Sequence, residues 1–571
     1  MAAINWQPDS WMVPIVFACY LVGVVTLGIV SHRYLSRGSF VKEYFVGNRG
    51  LGPWVLALSV AATAISGGTF AGFPSLIYKN GWIMALWISS YMIVPLTTMA
   101  LFGKRLNQVA RMSGAVTVPD VFRDRFQSPG LGILATLILL LLLVFNLVAQ
   151  FKAGALVMQG ALQLPNDKLH MPLPPTFAVT TIEVGYLIGL TIFAATVVAY
   201  TSYGGFWAVT WNDVLQGLVM LTGVILMAFL AMRAVPPVTT TDGQELHGLA
   251  AATERLKQQD PALVYGPGPE VKLEETASEP GVAPQYFLPF GMAFSFFLMW
   301  SLMSPGQAGG MVRLMAFKDS ASVRNALLLI AGYYLLTYMS MMIIFICARA
   351  IYPTQYLGEM GAEGTPDNIM PVMVRTVAPS WIAGLLLAAP YSAIMSTVAA
   401  FLLLISSSLV RDLYQRTINP NVSPKALKVA SYSVTALVGL IVMVGALNPP
   451  KYLQYIIVFT GSGQGCAFLI PMALALYWRR ATRAGVIAAM LGGFGTLLSL
   501  YVLGWIDSAN WGDSLFAWLP GWNEPKLDKF SPLYLFGFDP LVWGLVVSIG
   551  LGIGVTLMTK PNEELVKKYY P

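Results

Sequence analysis

The sequence predicts an all-α polytopic membrane protein whose core is two five-helix repeats of opposite topology. Three observations carry this. The 571 residues are 56% hydrophobic and only 11% charged, with a mean hydropathy of +0.66, outside the range of soluble globular domains. Apolar runs long enough to span a bilayer recur along the whole chain, since about 20 helical residues at roughly 1.5 Å each cover a hydrocarbon core of about 30 Å. Two of these runs, five apart in order, are interrupted by polar, glycine-rich stretches.

The apolar runs number about thirteen and lie near 11–31, 53–78, 82–102, 131–162, 181–203, 207–233, 286–311, 323–350, 378–410, 425–447, 452–477, 482–505 and 538–559. A transmembrane barrel would show short alternating segments instead. The first run has no small-residue cleavage site and is followed by a basic loop, so it reads as a retained helix rather than a signal peptide. Placing the N-terminus outside makes the segments after runs 1, 3, 7, 9, 11 and 13 cytoplasmic. These hold most of the 34 Lys and Arg residues, among them Arg33, Lys104, Arg105, Arg313, Arg411, Arg479 and Arg480, as the positive-inside bias requires. The C-terminus is then cytoplasmic and the chain a multi-pass protein of the cell membrane. The net charge of +7 is accounted for by this topology, without a nucleic-acid partner.

The three cysteines, Cys19, Cys347 and Cys466, sit inside expected helices without metal-like spacing, and His32, His170 and His247 fall in loops, so neither a disulfide framework nor a zinc site is expected. Residues 235–285 form an acidic polar loop expected outside, with Asp242, Glu245, Glu254, Asp260, Glu270, Glu274, Glu275 and Glu279. Residues 506–537 form a second outer loop whose Trp511, Trp518 and Trp522 suit an interfacial anchor.

Within hydrocarbon a broken helix is tolerated only where it lines a cavity or packs on protein. Run 2 is broken at "AATAISGGTFAGFP", with Ser66, Gly67, Gly68, Thr69, Gly72 and Pro74; run 7 is broken at "MWSLMSPGQAGGMVR", with Ser304, Pro305, Gly306, Gln307, Gly309 and Gly310. Small residues at one such place serve helix packing. Two breaks, each opening a block of five helices, match the arrangement in which discontinuous helices build a midplane site and two inverted halves rock about it. The organisation expected is an extra helix and loop over 1–52, a first repeat over 53–234, the outer loop 235–285, a second repeat over 286–478 and two further helices over 479–571.

Run 9, the third helix of the second repeat, carries "AAPYSAIMSTVAA" (388–400). The Ala393 carbonyl and the hydroxyls of Ser396 and Thr397 share one helix face. Those hydroxyls either bond back to carbonyls one turn earlier or, with carbonyls freed near Ile65, offer a hard cation several oxygens at once.

At these residues the chain resembles the sodium:solute symporter family, and within it the sodium/pantothenate symporters. The likeness runs through "EYFVGNRGLG" (43–52), "YGGFWAVTWNDVLQG" (203–217), "VRLMAFKDS" (312–320), "AAPYSAIMSTVAA", "SSSLVRDLY" (406–414), "NPPKYL" (448–453) and "ALYWRRATRAG" (475–485). The resemblance implies a LeuT-like five-plus-five fold and a sodium site. Its ligands on matching positions are the carbonyls of Ala62, Ile65 and Ala393 with the hydroxyls of Ser396 and Thr397. Relatives with a second sodium have hydroxyls three and four positions after the serine, where this chain has Ala399 and Ala400, so a single co-transported sodium is expected. Asp213, near the start of run 6, either assists the ion or serves the helix N-terminus.

For the solute, Ser66, Thr69 and Phe70 on the first broken helix and Trp300, Ser304 and Gln307 on the second combine polar groups with aromatic walls, and Asn146 and Gln150 add hydrogen bonds. Lys152 is the only basic residue deep in a run. Inserting a charge at that depth costs about 2.5–3.5 kcal/mol, so it either attracts a carboxylate in the cavity or snorkels to the interface. The expected function is sodium-coupled symport of a small organic solute, a carboxylate such as pantothenate or a monocarboxylate, with a neutral amino acid, polyol or sugar as the alternative. A polytopic enzyme would need a catalytic constellation within the membrane. A solute sensor would need a signalling domain, for which the tail ending "KKYYP" is short.

Overall fold

The computed structural model describes residues 11–31, 43–45, 52–165, 167–170, 181–240, 242–269, 290–353, 369–447, 453–506 and 532–570. The tryptophans of the second outer loop, the acids at 270, 274, 275 and 279, and most of "NPPKYL" lie outside the described residues.

Every apolar run falls on helix. The first is α1 (Met12–Ser31) and the second divides into α2 (Pro53–Ala64) and α3 (Phe73–Asn80). Next come α4 (Ala85–Pro95), α5 (Lys104–Ser113), α6 (Val118–Arg125), the long α7 (Pro129–Ala161) and α8 (Val184–Ala234). Runs 5 and 6 are thus one helical stretch, bent at Gly205 (φ 55°, ψ −147°). That backbone region is open essentially to glycine alone, and a Cβ there would lie 2.4 Å from the Tyr44 ring.

The acidic outer loop contains a helix the hydropathy pattern does not show, α9 (Gly248–Gln259). It is pinned by Trp82 Nε1 donating to Thr253 Oγ1 (3.0 Å) and Arg349 Nε donating to Gln259 Oε1 (3.0 Å). The second repeat opens with α10 (Phe290–Met303) and α11 (Ala308–Met315), the halves of run 7. It continues with α12 (Ser320–Ile351), the short α13 (Ile369–Val377), α14 (Ser380–Ser407), α15 (Pro424–Gly445), α16 (Leu453–Gln464) and α17 (Ile470–Tyr477). The chain then forms α18 (Arg483–Ile506), α19 (Pro540–Met558) and a terminal α20 (Glu563–Tyr569). Two short antiparallel hairpins, Lys168–His170 with Thr181–Glu183 and Val238–Thr239 with Glu245–Leu246, are the β-structure of the described residues.

Helix starts follow local chemistry. Thr117, Ser128, Asp319, Ser423 and Asp539 each accept a first-turn N–H through the side chain, four of them followed by proline within two residues, a residue whose missing N–H costs nothing there. Burial separates centre from periphery: 89% of the most apolar window of the span containing α14 is inside the protein, against 22% for α1. On α15 the buried Thr435, Val438 and Val442 alternate with an exposed stripe of Leu437, Leu440, Ile441 and Val444, which is the pattern of a helix with one face on protein and one on lipid. α14 packs against α8, α7 and α1, and α2 packs against α8 and α12. The hydroxyl-bearing helix is therefore central and the first broken helix is its neighbour.

Candidate functional site

The two breaks are built alike. In the first, α2 ends at Ala64, Ile65 is extended (φ −86°, ψ 109°), and a π turn over Gly68–Gly72 leads into α3. In the second, α10 tightens into a single turn over Ser304–Gly306, Gln307 is extended (φ −77°, ψ 124°), and α11 begins. Each restarting helix has an N–H accepted by a glutamine side chain: Gly67 N–H donates to Gln150 Oε1 at 2.9 Å and Ala308 N–H to Gln464 Oε1 at 3.1 Å. Backbone groups freed in a low-dielectric interior need such partners.

At the first break the exchange is reciprocal. The Gly67 N–H turns away from the carbonyl four residues earlier, that of Thr63. That carbonyl instead accepts the Thr397 hydroxyl at 3.1 Å. Thr397 also reaches the Ala393 carbonyl at 3.1 Å, so its hydroxyl joins α14 to the last turn of α2, beside Ala62 and Ile65. All four of Ala62, Ile65, Ala393 and Thr397 are buried. Ser396 does not bond back along its own helix. Its hydroxyl donates to Asp213 Oδ1 on α8 at 2.5 Å.

Asp213 does not cap a helix; it is buried within α8. Its Oδ2 accepts the Ser59 hydroxyl at 2.6 Å and forms an ion pair with Arg313 Nη2 at 2.8 Å, while Arg313 Nε donates to Ser59 Oγ at 3.0 Å. The topology assigned Arg313 to a cytoplasmic loop. The structure places it on α11 with its side chain 5% exposed, because a carboxylate a hundred residues upstream meets it inside the protein. A buried charge persists only when it is paired and hydrogen-bonded, and this one is both.

The solute candidates fall into two groups. Asn146 and Gln150 line up with the first break: Gln150 Nε2 donates to Asn146 Oδ1 (3.2 Å) and Asn146 Nδ2 to Thr460 Oγ1 (2.7 Å). Thr69 and Phe70 are buried, and the Ser66 carbonyl accepts the N–H of Thr69 at 2.9 Å. Trp300 stacks on Tyr91 with ring centroids 4.3 Å apart. Ser304 and Gln307 instead line a small cavity together with Thr63, Thr98, Arg313 and Tyr334. Lys152 is half-buried on α7. Two residues beyond Gln150, it leaves the helix about 200° around from it. Gln454, absent from the sequence reading, is buried against Gly68 and Gly72, and neither end of its amide has a partner among the described residues. Its sequence signal was a lone amide in an apolar run.

Two discontinuous helices facing a central helix with paired hydroxyls, in an all-helical membrane protein, define a secondary transporter of the five-plus-five inverted-repeat class. The model of the sodium:solute symporter family matches residues 44–168 and 175–493, and the chain belongs to that family. It is 30% identical over 491 residues to the sodium/pantothenate symporter of Haemophilus influenzae, covering 85% of this chain and 89% of that one. It is also 30% identical to the sodium/pantothenate symporter of Escherichia coli, covering 83% and 87%, and 25% identical to the osmoregulated proline transporter OpuE of Bacillus subtilis, covering 94% and 95%. A solved sodium-coupled sialic acid symporter in a substrate-bound outward-open state superposes with a TM-score of 0.68 at 17% identity, over 97% of this chain and 98% of that one, and shares the fold. The protein is a sodium-coupled symporter of a small organic solute, and sodium is its co-transported ion.

Proposed function

We propose that the solute is a small carboxylate of the pantothenate type, carried with one sodium ion, with the N-terminus outside and the C-terminus cytoplasmic. Sodium is held in this reading by the carbonyls of Ala62, Ile65 and Ala393 and the hydroxyls of Ser396 and Thr397. The observation that carries the ion site is the Thr397 hydroxyl reaching both Thr63 O and Ala393 O, which sets α14 against the open end of α2. The pantothenate transporters among the relatives, matched over more than four-fifths of the chain, favour a net anionic carboxylate over a zwitterion such as the proline named for more distant ones. Ala399 and Ala400, which offer no hydroxyl after the shared serine, favour one sodium over two.

Alternating access follows from the breaks. The two hinge residues, Ile65 and Gln307, let half-helices move while side-chain amides keep the freed N–H groups bonded. One sodium with one monoanion moves no net charge, so transport draws on the concentration gradient alone. A neutral solute would add a voltage term of about 2.3 kcal/mol per 100 mV. The test is uptake of labelled pantothenate into proteoliposomes with inward sodium or equal potassium, at zero and at inside-negative voltage. Sodium-dependent, voltage-indifferent uptake is expected. Voltage-driven uptake overturns the one-sodium stoichiometry, and absent uptake removes pantothenate as the solute.

A further inference from the structure

We propose that the cavity beside the second break is a carboxylate subsite, where Arg313 with the hydroxyls of Thr63 and Thr98 receives the solute's negative charge once sodium is bound. The proposal rests on the carboxylate reading above and names the groups that would enforce it.

The cavity wall is rich in hydrogen-bond donors and poor in negative charge. Among the described residues Arg313 is the one charged side chain that lines it. The guanidinium has Nε and Nη2 committed to Ser59 and Asp213. Its Nη1 has, among the described residues, only the Gly309 carbonyl at 3.5 Å, the outer limit of a hydrogen bond, so that nitrogen retains donor capacity.

Thr63 and Thr98, each about 6% exposed, also line the cavity, and neither hydroxyl has a partner among the described residues. Threonine in a membrane helix ordinarily bonds back to a carbonyl one turn earlier, and a buried hydroxyl without a protein partner is free to bond water, an ion or a solute. The floor is glycine: a Cβ at Gly310 would meet only Thr98 Cγ2 at 3.7 Å, and one at Gly309 would meet Phe401 at 3.4 Å and Thr63 Cγ2 at 3.8 Å. The methyls of both threonines thus lie over Gly309 and Gly310, and the space a side chain would take at either glycine stays open.

Charge explains the order of binding. Asp213 and Arg313 cancel one another. A carboxylate entering without sodium would leave one uncompensated negative charge in a low-dielectric site, whereas sodium on the Ser396 side adds one positive charge that the carboxylate then neutralises. Thr63 links the two places directly, since its carbonyl holds Thr397 and the residue lines the cavity.

The experiment compares pantothenate with its uncharged alcohol, pantothenol, as substrates of the reconstituted full-length protein at saturating sodium. Thr98→Val and Thr63→Val are near-isosteric and remove hydroxyls that have no partner, so both should fold, which size-exclusion profiles check. Each is expected to raise KM for pantothenate about tenfold, or ~1.4 kcal/mol, to leave KM for pantothenol within about twofold, and so to erode the preference for the acid. Arg313→Lys, if it folds, should erode it further because a point charge replaces a fork. A wild type that prefers the acid while both threonine variants keep the same preference overturns the subsite and leaves the carboxylate reading standing. A wild type that carries both compounds equally, or neither, overturns the carboxylate reading and the subsite with it.

Discussion

The Ser396 hydroxyl donates its proton to Asp213 Oδ1 at 2.5 Å, tying the central helix α14 to α8 across 183 positions of sequence. A hydroxyl that has given its proton to a carboxylate still has lone pairs to offer a cation. Asp213 therefore orients a proposed sodium ligand without itself being one, and Arg313 in turn holds Asp213.

Asp213→Asn removes the charge and strands Arg313 inside the protein, which costs about 3–5 kcal/mol when one partner of a buried pair is lost. We expect a lower melting temperature and a sodium concentration for half-maximal uptake raised more than tenfold. Combining it with Arg313→Gln removes both charges and should restore most of the stability but not the sodium affinity. Wild-type sodium affinity in the double variant would show that Asp213 has no part in orienting Ser396.

Thr397→Ser keeps the hydroxyl that spans to Thr63 and Ala393, and Thr397→Val removes it at almost constant volume. The serine variant should transport with near-normal sodium dependence. The valine variant should lose sodium dependence, together with about 1 kcal/mol of stability from the Thr63 carbonyl left without a donor. Equal sodium activation curves for the two variants would exclude the hydroxyl as a ligand.

Gly67→Ala places a Cβ 2.7 Å from Gln150 Oε1, with Ala153 and Ile394 at 3.0 and 3.1 Å on other sides. Gly205→Ala adds strain of about 1–3 kcal/mol at a backbone conformation reserved for glycine as well as the clash with Tyr44. Thermal melts in detergent should show both destabilised, while Gly495→Ala, whose Cβ meets nothing within 4 Å, melts like wild type.

Asp319 caps α12, accepting the Ser322 N–H at 2.8 Å and the Ser322 hydroxyl at 2.9 Å. The Ser322 N–H foremost, and then its hydroxyl, hold the carboxyl below the ordinary aspartate range. Because the folded value is depressed, the cap's contribution is present above the ordinary value of about 3.9 and is lost as pH falls through that range and below. Hydrogen exchange at the first turn of α12, corrected for intrinsic rates, should lose protection on acidification in the wild type and far less in Asp319→Asn, which caps without titrating.

Much of this architecture is legible in the chain because hydropathy is a local signal. The apolar runs, the breaks at Ser66–Gly68 and Ser304–Gly306, and the adjacent Ser396 and Thr397 all show within a few residues of themselves. The pairing of Asp213 with Arg313 does not. Each looks like a charge near a helix end, and only the packing of α2, α8, α11 and α14 brings them together. The glutamines that serve the two breaks, Gln150 and Gln464, lie on other helices, and a single amide in an apolar run gives no hint of which backbone N–H it meets. α9 escaped for the opposite reason: a solvent-facing helix of 12 residues within a polar loop leaves no long apolar run.

The central claim, that sodium is held between the open end of α2 and the hydroxyls of α14, is tested most directly by equilibrium binding of radioactive sodium to the purified protein. The wild type should bind one ion per chain, saturably, and Ser396→Ala combined with Thr397→Val should bind none above background. Unaltered binding in that double variant would place the sodium elsewhere and contradict the account.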